Sequence, residues 1–138
     1  MAMKKIILAF LLPLFSISLQ AEELAIIGNR KNHAKTLLPN QVQDIYMGRK
    51  HAFPDGKIAL PIDQASLRSD FYEKLTTKPI AQINAYWARI MFSGQSSPPM
   101  ILPDDSSVIK AITENEGAIG YINKANINKH VHVLLILK

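Results

Sequence analysis

Cysteine is absent from all 138 residues, which excludes a disulfide framework, a thiolate metal site and a lipid-modified N-terminal cysteine. Tryptophan occurs once. The N-terminal apolar core, residues 6–14, is well short of the roughly 20 residues that a bilayer-spanning helix requires, and no later segment is long and apolar enough. No segment is therefore expected to span a membrane. The chain also lacks a glycine-rich phosphate loop, a Ser/His/Asp order and a cysteine–histidine ligand pattern. No catalytic activity, metal or cofactor is expected on these grounds. Neither an internal repeat nor a low-complexity linker interrupts the sequence.

The N-terminus reads as an export leader. Lys4 and Lys5 form a positive start, residues 6–14 an apolar core, and Ser16-Ile17-Ser18-Leu19-Gln20-Ala21 a small-residue boundary with cleavage expected after Ala21. The expectation is a signal peptide over residues 1–21 and a periplasmic domain over residues 22–138. That domain, roughly 117 residues, is close to the commonest size for one core. Losing Lys4 and Lys5 takes the formal charge from +5 to +3 (5 − 2), and the remaining basic residues are scattered. Nucleic acid is not an expected partner. A mild positive balance suits small anions.

Strand and helix patterns alternate along the mature chain. Residues 24–27 form an apolar strand ending at Gly28-Asn29. Leu38, Val42, Ile45 and Tyr46 fall at helical spacing before Gly48, which is placed to end that helix. Pro54-Asp55-Gly56 is a turn and residues 58–62 a short apolar strand. Leu67, Phe71 and Leu75 then sit one turn apart, and Ile80, Ile83, Trp87, Ile90 and Met91 mark a longer amphipathic helix ending near Gly94. Residues 93–99 read as a loop, and Asp104 or Asp105 as the cap of a helix carrying Val108, Ile109 and Ile112. Strands over residues 117–122 and 131–137 complete the pattern. Strands separated by helices predict an α/β domain whose mixed, mostly parallel sheet is flanked by helices.

The turn, strand and helix start over residues 53–71 carry the strongest functional signal. Backbone N–H groups at a helix start, the positive end of its dipole and a nearby Arg68 would make an anion site at a strand's carboxyl end. The alternative is that Asp63 and Ser66 merely cap the helix while Arg68 is solvated.

Ile45-Tyr46-Met47-Gly48, Asp55-Gly56-Lys57-Ile58, Pro61-Ile62-Asp63-Gln64 with Arg68 and Phe71, Ala85-Tyr86-Trp87 with Phe92-Ser93-Gly94, and Gly117-Ala118-Ile119-Gly120-Tyr121-Ile122 occur in this order. In order and spacing they resemble the small phosphate ABC transporter substrate-binding-like proteins of the type 2 periplasmic binding protein superfamily. The resemblance runs over residues 24–137. It implies a domain similar to one lobe of a two-lobed binder, and a solute-binding module for a small oxyanion such as phosphate. Transport or sensing through an inner-membrane partner is implied with it. Full phosphate binders carry a Ser-Gly-Thr helix start where this chain has Ala65-Ser66-Leu67-Arg68, so only Ser66 carries over. Gly28-Asn29-Arg30 stands where those proteins have a Gly/Ser-rich loop. The expected ligand-binding residues are thus Gly28, Asn29, Arg30, Asp63, Ser66 and Arg68, in an open half-site to which a dimer or a partner could add a lid. The other reading is a ligand-free accessory envelope protein that contacts a transporter, sensor or outer-membrane partner.

Remaining candidates are read blandly. His130 and His132 fall two apart on the predicted last strand and would share a face, but no third ligand lies near. His33 and His51 sit in loop-like segments. Trp87 belongs to an apolar stripe and is expected in the core, and Asp70 on a helix surface.

Overall fold

The computed structural model describes residues 3–16, 22–32 and 34–138. The expected cleavage boundary at Ala21 and the loop residue His33 lie outside the described residues. Residues 3–16 contain neither helix nor strand, and their large apolar side chains, Phe10 and Leu11 among them, are exposed. No helix among the described residues is long and apolar enough to cross a membrane.

Five strands form one sheet in the order β3-β2-β4-β1-β5. They are β1 (Leu24–Asn29), β2 (Leu60–Gln64), β3 (Met100–Leu102), β4 (Ala118–Asn123) and β5 (Val131–Leu137). β2 pairs in parallel with β3 and β4, whereas β1 pairs antiparallel with both β4 and β5. Four strands therefore point one way and β1 alone runs against them, which matches the expected mixed, mostly parallel sheet. The carboxyl ends of β2, β3 and β4 define one rim. The opposite rim carries the carboxyl end of β1 with the amino ends of β2 and β4, since Gly28 pairs with Ile119 and Leu60 with Ala118.

Alternation along β1 and β4 creates two cores. Leu24, Ile26, Ile119 and Tyr121 face α1 (Pro39–Tyr46), α2 (Arg68–Thr76) and α3 (Ile80–Ser93). Ala25, Ile27, Ala118 and Ile122 face α4 (Asp105–Glu114). This is the period-two consequence of a sheet covered on both faces. Tyr46, Phe71, Tyr72 and Tyr121 make an aromatic knot in the first core, with the Phe71 and Tyr121 rings stacked at 3.7 Å. Its tyrosine hydroxyls are not orphaned: Tyr46 donates to the carbonyls of Ile62 and Ile119 at 2.9 and 3.1 Å.

Helix ends follow their local chemistry. Asp104 caps α4, its carboxylate accepting from the Ser107 N–H at 2.9 Å. Gly48, just beyond α1, has φ +70°, and an added Cβ would lie 2.8 Å from the Trp87 ring. Glycine is needed there both for its backbone and for its lack of a side chain. Several expectations shift. The second strand runs over Leu60–Gln64, two residues later than the apolar run, because Ile58 instead bridges to Ala52 across the Pro-Asp-Gly turn. β3 lies just after the predicted loop, too short to register as a pattern. Met91 is off the buried stripe of α3 and exposed, while Ile83 and Trp87 are buried. His130 precedes β5 and so does not share a strand face with His132, whose Nε2 lies 2.9 Å from the carbonyls of Ala34 and Lys35.

Candidate functional site

The six residues expected to bind ligand do not converge. Gly28, Asn29 and Arg30 sit at the rim formed by the amino end of β2, and Asp63, Ser66 and Arg68 at the rim formed by its carboxyl end. Asn29 is a structural strut. Its Nδ2 donates to the carbonyls of Ile112 and Thr113 near the end of α4, and its Oδ1 accepts from the Lys31 N–H at 2.8 Å. Arg30 donates to the Lys129 carbonyl. Gly28 is buried in β1 against Leu134.

At the other rim Asp63 is 1% exposed. Its carboxylate accepts from the hydroxyls of Tyr72 and Tyr121, each at 3.0 Å, and from Arg68 Nε at 3.1 Å. Arg68 also donates to Asn84 Oδ1 at 2.6 Å and stands 5.4 Å over the Tyr72 ring. Arg68 is thus neither solvated nor a free anion ligand: it is the counter-ion of a buried carboxylate. Burial pushes the Asp63 carboxyl above its ordinary range, and the Arg68 contact opposes that rise. Burial likewise pushes the Tyr72 and Tyr121 phenols well up, so both remain protonated donors. Their part has no local signature: in sequence Tyr121 is only a residue of a predicted strand, and nothing singles out Tyr72.

The capping alternative also changes. The N-cap of α2 is Leu67, with no side-chain cap, and neither Asp63 nor Ser66 fills that role. A helix leaves its first N–H groups without intrahelical partners; here the Leu67 N–H turns back to the Gln64 carbonyl at 3.2 Å and the Phe71 N–H to the Leu67 carbonyl at 2.8 Å, which leaves the amides of Arg68, Ser69 and Asp70 between them. The α2 start therefore presents uncapped amides. Exposed Ser66 lies beside it, with its hydroxyl on Gln64 Oε1.

Ser66 and Leu67, just before that start, line a polar cleft of about 350 Å³ together with Gln64, Asp104, Asp105 and Asn123, among others. Asp105 accepts from Gln64 Nε2 at 2.7 Å and Asn126 Nδ2 at 2.6 Å, and Asp104 from the Ser107 hydroxyl at 2.6 Å. Ser107 thereby holds the Asp104 carboxyl below its usual range. The carboxylates of the cleft are already engaged by neighbouring donors. Asp104 and Asp105 read in sequence only as a helix cap, and nothing there joins them to Ser66, because strand and helix ends far apart in the chain supply the lining. No cluster of three or more metal-ligating side chains occurs among the described residues.

No family profile matches the sequence, and no curated protein matches it. Solved structures do match. A protein from Clostridium perfringens assigned as a phosphate ABC transporter substrate-binding protein, with phosphate bound, superposes with a TM-score of 0.66 at 19% identity over 82% of this chain and 44% of that one. An ABC-type phosphate transport receptor from Vibrio cholerae gives a TM-score of 0.64 at 16% identity, over 82% of this chain and 45% of the other. PstS from Borrelia burgdorferi gives 0.58 at 14% identity, over 82% and 46%. The chain spans less than half the length of these proteins, and its fold is that of one of their lobes.

Proposed function

We propose that the protein is a single-lobe solute-binding module for a small oxyanion, of which phosphate is the leading candidate. The site is the uncapped start of α2 with the Ser66 hydroxyl, facing the cleft at the carboxyl ends of the sheet strands. One observation carries this reading: a nine-residue helix begins at that rim with no side-chain cap, which is where α/β folds seat anions. Asp105 in the cleft adds a preference. A carboxylate beside the anion favours an oxyanion that still carries a proton to donate, as phosphate does near neutral pH and sulfate does not. Gly28, Asn29, Arg30 and the side chain of Arg68 take no part, being committed to the fold.

With one lobe, the ligand stays hydrated on its open side, so affinity is expected near the millimolar range, about 4 kcal/mol. Export to the periplasm through the residues 1–21 leader, and an inner-membrane transporter or sensor as partner, belong to the same proposal. Calorimetric titration with phosphate, sulfate and acetate tests it. Phosphate should bind more tightly than sulfate, and Ser66→Ala should weaken it without altering thermal stability. Equal, negligible heats for all three anions would refute the binding reading.

A second reading, an accessory envelope protein that contacts a partner, is favoured by a separate feature. Met91 and Phe92 at the end of α3 and Met100 and Ile101 on the edge strand β3 are exposed, Phe92 at 97%. Apolar residues so placed suit a protein contact. Cross-linking from position 92 in whole cells separates the readings, because a pure solute binder gives no defined adduct there.

A further inference from the structure

The rim at the amino end of β2, across the sheet from the oxyanion cleft, gathers basic residues from four separate stretches of chain. Arg30 and Lys31 follow β1 and Lys129 precedes β5, and the Arg30 guanidinium donates to the Lys129 carbonyl. Lys35 lies beside them: its carbonyl is 2.9 Å from Nε2 of His132, which pairs with Gly28 in the sheet. Lys57 lines one groove with Lys31, Ile58 and Leu60, together with Glu116 and Gly117 ahead of β4. All five basic residues are exposed. From β5 to β2 they span three strand spacings, about 14 Å.

These charges are mostly unspent. Among the described residues Arg30, Lys35, Lys57 and Lys129 form no ion pair, and Lys31 has only Glu116, at 3.9 Å. Asp55 in the turn and Glu114 at the end of α4 are the other carboxylates of this region, so basic residues outnumber acidic ones five to three. At the other rim, by contrast, Arg68 and Lys124 are each paired, with Asp63 and Glu23. Apolar side chains stand among the cations: Ile58 is 70% exposed and Leu60 45%. Long cationic side chains around isolated apolar ones suit a lipid headgroup layer, where ammonium groups meet phosphodiesters and the apolar groups reach the acyl boundary. A rigid acidic protein would have to match charges drawn from four separate segments, whereas a fluid bilayer surface adapts to them.

We propose that this rim docks peripherally on an anionic bilayer, with Ile58 entering the headgroup layer. The strands between the rims are about 20 Å long, so the oxyanion cleft faces away from the bilayer and stays open. The inference is independent of the oxyanion reading. Co-sedimentation with vesicles tests it, using the chain that begins at Glu22, which holds every strand and helix. Vesicles of mixed phosphatidylglycerol and phosphatidylcholine should carry the protein down at low ionic strength, and pure phosphatidylcholine should not. Binding should be lost at 1 M salt, where screening shortens to about 3 Å. Each basic residue near an anionic surface is worth roughly fivefold in partitioning, so Lys57→Gln with Lys129→Gln should weaken binding at least tenfold at an unchanged melting temperature. The same charge removed at the opposite rim, Lys124→Gln with Lys138→Gln, should change it less than twofold. Ile58→Ser should weaken it severalfold, and inorganic phosphate at constant ionic strength should not release the protein. The assignment is overturned if anionic vesicles bind no more than neutral ones, if the two double variants behave alike, or if phosphate releases the protein at constant ionic strength.

Discussion

Arg68→Ala is the perturbation whose outcome depends most on the buried Asp63 network. Truncation deletes the ion pair at 3.1 Å and the donor to Asn84, and leaves a carboxylate that is 1% exposed with two tyrosine hydroxyls as its remaining partners. Removing one partner of a buried pair costs about 3–5 kcal/mol. The surviving hydroxyls and the partial exposure of Arg68 place the expected loss near the lower end, about 3 kcal/mol. Against a total of about 5–15 kcal/mol that is a large share, and it lowers Tm by roughly 10 °C for a domain of this size.

The loss should depend on pH. A carboxyl whose folded pKa is raised binds more protons in the native state than in the unfolded one, so its contribution declines as pH rises through the ordinary aspartate value toward the folded value. Without Arg68 the folded value climbs further, so the variant's deficit should be greatest at pH 7 and shrink as Asp63 becomes protonated on acidification. Urea denaturation of both proteins at pH 7 and at mildly acidic pH measures this directly. A cost below about 0.5 kcal/mol at pH 7, as for an exposed charge, or a cost that does not change with pH, would refute the assignment of Arg68 as counter-ion.

Trp87→Ala removes a buried ring packed over Gly48 and should cost about 3–5 kcal/mol in chemical denaturation; an unchanged midpoint would mean that the ring is not core. Gly48→Ala forces φ +70° and a 2.8 Å contact on a side chain, so its Tm should fall by several degrees. Asp104→Ala deletes the α4 cap and should cost about 1 kcal/mol in chemical denaturation. Mass spectrometry of an osmotic-shock fraction should find a chain beginning near Glu22; a species retaining Met1 would remove the leader assignment.

Periodicity made the frame of this domain readable before its structure. The stripe through Ile83 and Trp87, the Asp104 cap, the Gly48 stop and the apolar strands all follow from neighbours in sequence. The proposed site is readable in sequence only in part. Ser66 and the start of α2 could be found because turn, strand and helix are consecutive there. Gly28-Asn29-Arg30 was grouped with them because the order of strands in the sheet, with β1 reversed between β4 and β5, has no local signature. The pairing of Arg68 with Asp63 has no local signature for a related reason. Whether an arginine near a helix start faces water or a buried aspartate depends on Tyr72 one turn along the helix and on Tyr121, 53 residues further on (121 − 68), and only the fold brings them together. β3 stayed hidden because three residues cannot establish a period.

The central claim, an oxyanion held by the uncapped start of α2, is tested most directly by following backbone amide resonances during a phosphate titration. Saturable shifts concentrated at Ser66, Arg68 and Ser69, with Gly28, Asn29 and Arg30 at the opposite rim unmoved, are the predicted result. Shifts at the opposite rim instead, or none at any amide of the α2 start at phosphate concentrations well above the millimolar range, would contradict it.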